Sequence, residues 1–199
     1  DPDNLTQDCD GVDTNCSNGG VPPSNETDDD SGGGDGYVEC AYLLSTWVGD
    51  LGVSGGGDCD DTDKLVHPDA TEVAVDDEDQ NCDLKELCYE DSDGDGRGTT
   101  STILSALNDL DCSEAGVSKL SDDCDDLHPE ASPAHTVELC DGVDTTCTNG
   151  GVVPDDESDD DVNGGDGFVE CVYLESTWVG SVEVDGGEDC DDTDSTVHP

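Results

Sequence analysis

Twelve cysteines in a repeating pattern are the feature that most constrains this chain. The intervals 7, 24 and 19 occur twice, in Cys9, Cys16, Cys40 and Cys59 and again in Cys140, Cys147, Cys171 and Cys190. The intervening cysteines follow a related pattern of 6, 24 and 12, in Cys82, Cys88, Cys112 and Cys124. The flanking residues repeat as well, because CDGVDTNCSNGG returns 131 residues later as CDGVDTTCTNGG. The chain is therefore predicted to be a tandem repeat with a divergent middle copy.

A His-Pro pair closes each predicted repeat. The pairs are His67-Pro68, His128-Pro129 and His198-Pro199. They divide the chain into repeat 1 (residues 1–68), repeat 2 (69–129) and repeat 3 (130–199). Because both ends fall in phase with this division, we expect the sequence to come from a longer array or to be one period of a fibre.

The charge of the chain limits both its fold and its partners. There are 55 Asp and Glu against 4 Lys and Arg, a formal net charge of −51, and 31% of residues are hydrophobic. Such a chain cannot fold by burying apolar surface alone, so disulfides must replace part of a core, as in small proteins of oxidising compartments. We expect an extracellular or cell-surface location. Nucleic acid and anionic membranes are excluded as direct partners because both would be repelled.

Little regular secondary structure is predicted. Alternating residues indicate a short strand at residues 37–43 and another at 168–174. Ile103, Leu104, Leu107 and Leu110 have helical spacing, which favours one short helix at residues 101–110. Trp47 and Trp178, each in a Ser-Thr-Trp-Val-Gly segment, are expected to form a small core in the outer repeats.

The segment DSDGDGRG from Asp91 has the pattern of a calcium loop. Asp91, Asp93 and Asp95 stand at positions 1, 3 and 5, a glycine stands at position 6, and Arg97 at position 7 offers its carbonyl oxygen. Alternate carboxylates on a tight loop converge on one hard cation. Thr102 occupies position 12, where an EF-hand has Glu, so the loop is more similar to those of thrombospondin type 3 or dockerin modules.

Looser acidic loops occur in the outer repeats, with extra glycines between the carboxylates. Their candidate ligands are Asp28, Asp30, Asp35 and Glu39 in repeat 1 and Asp159, Asp161, Asp166 and Glu170 in repeat 3. Simple flexible loops are the alternative.

A second acidic cluster surrounds the last cysteine of each repeat. Its candidate ligands are Asp58, Asp60, Asp61 and Asp63; Asp123, Asp125 and Asp126; and Asp189, Asp191, Asp192 and Asp194. These carboxylates would repel one another unless a divalent ion lies between them. About two ions per repeat would fit the number of carboxylates. In the CDGVD segments from Cys9 and Cys140, metal contact and a structural Asx turn remain open alternatives.

These motifs together resemble the metal-binding repeats of the MopE type found in secreted and surface proteins of bacteria. The resemblance rests on the acidic glycine loop, on GGGDCDDTDKLVHP from Gly55 with its copy from Gly186, and on CDGVD. It implies a calcium-bound, disulfide-linked, loop-rich module used in tandem, with no enzymatic activity. Because the family's namesake binds copper, metal capture is an alternative function.

Other readings of the sequence carry less support. Copper favours imidazole, and the three His-Pro histidines lie in different repeats, so we interpret them mainly as packing or turn residues. No Ser or Cys has a catalytic His and Asp arrangement, and we expect no enzyme. Asn4 and Asn25 are candidate glycosylation sites. Four cysteines per repeat allow three pairings even without bonds between repeats, and we take sequential pairing as the working assignment.

We therefore predict a small disulfide-rich, calcium-stabilised tandem repeat, mostly loops with short β-strands and little helix. The expected function is an extracellular fibre, filament or stalk segment in which copies continue head to tail. A metal-capturing surface protein and an adhesin that binds glycan or protein are the alternatives.

Overall fold

The structure is a computed structural model that describes residues 6–30, 33–50, 52–106, 108–159, 165–180, 182–190, 194–196 and 199. Four predicted site residues lie outside these ranges: Asn4, Asp161, Asp191 and Asp192. Within the described ranges, no helix is both long and apolar enough to cross a membrane.

The chain forms two compact bodies. One contains Asp1–Leu87 and Leu104–Asp111, and the other contains Cys88–Ile103 and Cys112–Pro199. The division into three repeats, based on sequence similarity, remains a prediction.

Most described residues lie in turns and loops, as predicted. Strand β1 (Leu87–Glu90) lies between β2 (Thr102–Leu104) and β3 (Val117–Ser118) in a three-stranded sheet. Strands β1 and β3 are antiparallel, with Tyr89 opposite Ser118. Strands β4 (Phe168–Val169) and β5 (Gly186–Gly187) form a parallel pair. The only helices among the described residues are two 3-10 turns, Ser24–Glu26 and Asp155–Glu157.

The predicted strand of repeat 3 is confirmed in its first two residues by β4. Val38 of repeat 1 corresponds to Val169 of repeat 3. It does not lie in a β-strand, but its backbone makes comparable hydrogen bonds. Its N–H donates to Gly55 O at 3.2 Å, and its carbonyl accepts the Gly57 N–H at 2.8 Å. Both Val38 and Val169 are fully buried at these positions.

The helix predicted at residues 101–110 is wrong. Residues 102–104 form β2, and the backbone is bonded to the neighbouring segment by Glu90 N–H to Ser101 O (2.9 Å) and Ser105 N–H to Glu86 O (2.8 Å). Ile103 and Leu104 are exposed, so no apolar helical face is buried. Tertiary pairing of the backbone therefore overrides the local spacing of apolar residues.

Five disulfides connect the described cysteines, and none of them has the sequential pairing assumed above. The bonds are Cys9–Cys40, Cys59–Cys82, Cys88–Cys112, Cys124–Cys147 and Cys140–Cys171. Cys16 and Cys190, also predicted to be bridged, take part in none of these five.

The disulfide pairing follows from the path of the chain after each His-Pro pair. The His67 N–H donates to Gln80 O at 2.8 Å, and the Ser132 N–H donates to Thr145 O at 2.9 Å. The first contact brings the end of repeat 1 beside the start of repeat 2, and the second joins two residues near the start of repeat 3. Two disulfides therefore cross the predicted boundaries between repeats, at positions equivalent in repeats 2 and 3.

The interior is richer in carboxylates than in apolar side chains. Eleven Asp and Glu residues of the described chain are buried, against eight apolar residues including two cysteines. Burial of a charged carboxylate is unfavourable unless it is hydrogen-bonded or paired with a cation. The fold therefore depends on what these carboxylates contact.

One buried glutamate per repeat fixes the neighbouring backbone, a role that sequence reasoning missed. Glu26 Oε2 accepts the Gly11 N–H at 2.9 Å, and Glu157 Oε2 accepts the Gly142 N–H at 2.7 Å. In repeat 2, the fully buried Glu86 accepts the Val75 N–H at 3.1 Å. Burial raises the pKa of Glu157 to about 7, with further contributions from the charges of Asp141 and Glu138.

The two tryptophans pack over glycines of the CDGVD segments, but both are only partly buried and neither is among the described buried apolar residues. A β-carbon on Gly142 would lie 2.7 Å from the Trp178 ring and 2.7 Å from Gly180 Cα. Gly142 also has φ +83°, which side chains rarely adopt. Trp178 Nε1 donates to Val182 O at 2.9 Å, so its ring is held in place.

We predict that Gly142→Ala strongly destabilises the oxidised chain. The left-handed backbone should cost about 1–2 kcal/mol, and the contacts of the added methyl should cost a further ~1–3 kcal/mol. Gly116→Ala is the matched control, since Gly116 has φ +93° but open space around its Cα. Urea unfolding measures both variants. Equal losses of stability would show that the tryptophan contact is unimportant.

Candidate metal sites

The acidic loop of repeat 2 is shaped by its own carboxylates. Asp91 Oδ1 and Oδ2 accept the N–H groups of Gly94 (2.7 Å) and Gly96 (3.1 Å). Asp93 Oδ1 accepts the Asp95 N–H at 3.1 Å. Oxygens of Asp91, Asp93 and Asp95 lie within 4.8 Å of one another. The loop thus has the compact arrangement of a cation-binding loop.

The second acidic cluster of repeat 2 lies at the same site. Oxygens of Asp93, Asp123 and Asp126 lie within 4.8 Å of one another, and Asp126 Oδ1 accepts the Ser92 N–H at 2.7 Å. The Oδ2 atom of Asp93 and the Oδ2 atom of Asp123 are both buried without a hydrogen-bond partner. Two segments that are separate in the sequence therefore contribute five carboxylates to one site.

Repeat 1 has the corresponding arrangement. Oxygens of Asp28, Asp30 and Asp35 lie within 4.8 Å of one another, although the loop carries extra glycines. Asp61 Oδ1 accepts the Asp29 N–H at 3.4 Å, which brings the second cluster to this loop. In the two acidic clusters of repeat 1, four described buried oxygens lack a hydrogen-bond partner, and they belong to Asp28, Asp30, Asp35 and Asp58.

Repeat 3 shows the same loop as far as it is described. The Gly167 N–H donates to Asp159 Oδ2 at 2.8 Å, and the Phe168 N–H donates to Asp166 Oδ1 at 3.0 Å. Asp159 Oδ1 is buried without a partner, and Asp189 of the second cluster is also buried. These positions match those of Asp28, Asp35 and Asp58 in repeat 1.

Several predicted ligands do not belong to the acidic clusters of the described residues. Glu39 and Glu170 are exposed and belong to none of the acidic clusters found in the described part of the chain. Four aspartates instead accept N–H groups two residues ahead: Asp60 from Thr62, Asp63 from Leu65, Asp125 from Leu127 and Asp194 from Thr196. These four carboxylates shape turns beside the sites.

Arg97, the predicted position-7 residue, borders the site of repeat 2. Its N–H donates to Asp95 Oδ1 at 2.7 Å, and its guanidinium pairs with Asp122 at 2.5 Å. Tyr37 occupies the equivalent position in repeat 1, where its ring stacks on His67 with centroids 5.0 Å apart. In both repeats, the side chain of the residue after the loop contacts a residue outside the loop: Asp122 in repeat 2 and His67 in repeat 1.

Three carboxylates of these sites, Asp30, Asp61 and Asp93, have a pKa above that of free aspartate. Burial raises the pKa of Asp93 to about 6, and the charges of Asp95, Asp123 and Asp91 add to the effect. Burial likewise raises the pKa of Asp30 and of Asp61 to about 6. At neutral pH these three groups are mostly ionised, and their raised pKa values mean that the charges oppose folding unless a cation offsets them.

The donor atoms favour a hard cation. Carboxylate oxygens dominate, as calcium and magnesium prefer, and no acidic cluster among the described residues includes histidine. Two clusters do contain cysteine pairs, Cys59 with Cys82 and Cys124 with Cys147. Those sulfurs are bonded to each other and do not act as thiolate ligands.

The CDGVD segments divide into two kinds of aspartate. Asp141 Oδ1 accepts the Val143 N–H at 3.2 Å, and both its oxygens accept the Thr145 hydroxyl, which is an Asx turn. Asp10 has the same contacts with Val12 and Thr14. The second aspartate of each segment, Asp13 or Asp144, has a buried oxygen without a hydrogen-bond partner.

The comparison with protein families supports the resemblance seen in the sequence. Residues 1–20, 58–83, 123–152 and 189–199 match the Cu-binding_MopE family, described as a "Putative metal-binding motif". Each matched segment includes carboxylates of the CDGVD type, of the second acidic cluster or of both. No curated protein and no solved structure matches the chain. The four segments are therefore similar to this family's motif, and the family name does not establish which metal this chain binds.

In buffer free of divalent ions, we predict that the folded state loses stability as the pH rises from about 4 to 7. Asp30, Asp61 and Asp93 have folded pKa values near 6, above their ordinary value of 3.8. The folded state binds more protons, so their contribution is fully present below pH 3.8 and is lost as the pH rises through 6. Thermal melting across this range, with and without calcium, measures the effect.

Asp93→Asn should make the ion-free pH dependence shallower, because the amide does not titrate. Glu175→Gln is the control, since Glu175 is an exposed carboxylate. A melting temperature that stays constant or rises from pH 4 to 7 in ion-free buffer would contradict the prediction.

Proposed function

We propose that this chain is an extracellular structural repeat protein whose acidic-loop sites bind calcium. The main support is the set of buried carboxylate oxygens without partners, above all Asp93 Oδ2 and Asp123 Oδ2, which face one site from two segments. A cation there would convert repulsion between carboxylates into attraction. Its binding free energy would then contribute to folding.

Calcium fits these sites better than copper or zinc does. Five carboxylates from a flexible loop and a second segment can supply the six to eight oxygens that calcium takes, together with carbonyls and water. No described histidine belongs to a cluster of possible metal ligands. His67 Nδ1 contacts Pro68 O, and His128 Nδ1 contacts Asp125 Oδ2, which shapes a turn. Metal capture by imidazole therefore has little support.

Removal of one buried ligand should weaken calcium binding at its site. Asp58 and Asp60 flank the same cysteine, but Asp58 is buried with an unpartnered oxygen and Asp60 is an exposed turn residue. We expect Asp58→Asn to weaken the repeat 1 site about tenfold or more, because one charged ligand is lost. Asp60→Asn should bind calcium as the unmodified chain does.

Isothermal titration calorimetry of the oxidised chain measures this effect, with a parallel titration of copper. Equal calcium affinities in the two variants would contradict the assignment of Asp58. Saturable copper binding in a protein that does not respond to calcium would favour metal capture instead.

We also propose that the repeats continue head to tail in a fibre, filament or stalk. Cys59 and Cys124 each bond forward across a His-Pro pair, which joins one repeat covalently to the next. Cys190 occupies the equivalent position after a third acidic loop and is exposed. The same junction could therefore be repeated along an array, with calcium stabilising each repeat. This role is structural rather than catalytic.

A protein with two copies of the chain in tandem tests the continuation. We expect peptide mapping of the oxidised, calcium-bound protein to find Cys190 of the first copy bonded to the second copy. Cys190→Ser in the first copy should lower the melting temperature at the junction. If Cys190 of the first copy remains fully reactive with iodoacetamide in the folded protein, head-to-tail continuation of the junction is excluded.

A further inference from the structure

A cavity lies between the CDGVD segment and the tryptophan segment of repeat 3, and the function proposed above does not use it. Its volume is about 120 Å³. Its lining includes Gly142, Val153, Glu157, Asp159, Trp178 and Val182. Because an apolar cavity of roughly 150 Å³ holds one benzene molecule, this cavity takes a group of about five heavy atoms.

Three of the lining side chains are apolar. The ring of Trp178 is held by its Nε1–H bond to Val182 O (2.9 Å), and it packs against Tyr173 with ring centroids 5.4 Å apart. Val153 and Val182 line the cavity and are also exposed to solvent. A preformed wall of this kind suits the hydrocarbon part of a ligand.

The buried polar group of the cavity is Glu157, which is 3% exposed. Its Oε2 accepts the N–H groups of Asp141 (3.0 Å) and Gly142 (2.7 Å). Its Oε1 receives no hydrogen bond from any described residue. A carboxylate oxygen in such a buried side chain is unfavourable unless a proton or a cation contacts it. This oxygen is the independent sign of a ligand.

Repeat 1 has a cavity at the equivalent position, but its glutamate has a partner. Glu26 lines that cavity as Glu157 lines the cavity of repeat 3. Gln7 Nε2 donates to Glu26 Oε1 at 2.7 Å. In repeat 3 the position of Gln7 is occupied by Glu138, which has no donor when it is ionised. Trp47 is not among the described residues that line the cavity of repeat 1, which is therefore an internal control.

An inorganic divalent ion does not fit the cavity of repeat 3. Such an ion takes about six to eight oxygen ligands or keeps its water, and valine and indole side chains offer no oxygen. Asp159, the other carboxylate in the lining, belongs to the acidic loop, where its Oδ2 accepts the Gly167 N–H at 2.8 Å. Anionic ligands are repelled by a chain of formal charge −51.

An ammonium group on a short alkyl chain matches both parts of the cavity. Its N–H groups can donate to Glu157 Oε1 with opposite charge, which makes a strong hydrogen bond. The indole of Trp178 attracts an organic cation, and the methylene groups can pack against Val153 and Val182.

We propose that the cavity of repeat 3 binds the ammonium end of a short alkyl chain, with Glu157 as its counter-ion and Trp178 as its wall. A free alkylamine and the lysine side chain of a partner protein present this same group. The proposal does not depend on calcium, because Glu157 belongs to none of the acidic clusters of the described residues.

Heteronuclear NMR of the oxidised full chain in saturating calcium tests the site. The chain has two tryptophans, each with one indole N–H resonance, and Trp47→Phe assigns them. Titration with n-butylammonium is expected to shift the Trp178 resonance saturably and to leave that of Trp47 unchanged. The uncharged analogue n-butanol should shift neither resonance. If n-butylammonium leaves the Trp178 resonance unchanged, or moves both resonances without saturation, the inference is overturned.

Two variants test the role of Glu157. Glu157→Gln should weaken n-butylammonium binding about tenfold or more, because a hydrogen bond to a charged group is lost. Glu138→Gln introduces the donor that Gln7 supplies in repeat 1, so it should also weaken binding, and it keeps the test valid if Glu157→Gln does not fold. Glu183→Gln removes an exposed charge beside Val182 and should bind as the unmodified chain does. Unchanged affinity in the folded variants of Glu157 and Glu138 would overturn the site.

A lysine peptide separates the two sources of the ammonium group. If acetyl-Gly-Lys-Gly-amide shifts the Trp178 resonance at an equal or lower concentration than n-butylammonium, the site is assigned to a protein partner. A shift with n-butylammonium alone assigns it to a free amine. Calorimetry measures calcium binding separately. A chain that binds calcium without the Trp178 shift contradicts this inference alone, and a chain that shows the shift but binds no calcium contradicts the proposed function alone.

Discussion

Repulsion between buried carboxylates is the constraint on which this structure depends. Asp30, Asp58 and Asp61 in repeat 1, with their counterparts in repeat 2, lie close together where water cannot screen their charges. In most proteins these positions would hold apolar side chains. At neutral pH the charges of these carboxylates oppose folding unless a cation or a proton lies between them. The loops, disulfides and short strands serve mainly to hold oxygen atoms in these positions.

The disulfides lie next to the acidic clusters in the sequence and connect them to the following repeat. Cys59 lies between Asp58 and Asp60, and its bond to Cys82 ties the acidic-loop site to the start of the next repeat. A disulfide restricts the unfolded chain, whereas a bound ion stabilises the folded one. Among the described residues of repeat 1, only Val38, Val53 and Val66 are buried and apolar, which is a small core for a repeat of this size. The proposed combination of disulfides and bound ions would explain how a chain of formal charge −51 can be ordered.

Local spacing predicted much of the site, because cation-binding loops are formed by consecutive residues. Asp91, Asp93 and Asp95 could be assigned from the sequence since their alternation and the following glycine are themselves the loop. Their meeting with Asp123 and Asp126 could not, because it requires the chain to return after about thirty residues. Sequential disulfides failed for the same reason: Cys59 and Cys124 bond across repeat boundaries that were drawn from similarity alone. The helix at residues 101–110 failed because pairing with β1 is a long-range interaction.

A divalent cation between the acidic loop and the second acidic cluster would be visible in an anomalous difference map from crystals of the oxidised chain grown with calcium. We expect a peak bonded to Asp93 Oδ2 and Asp123 Oδ2 at about 2.4 Å, with equivalent peaks in the outer repeats. Ordered side chains at these positions with water and no anomalous peak, at saturating calcium, would contradict it.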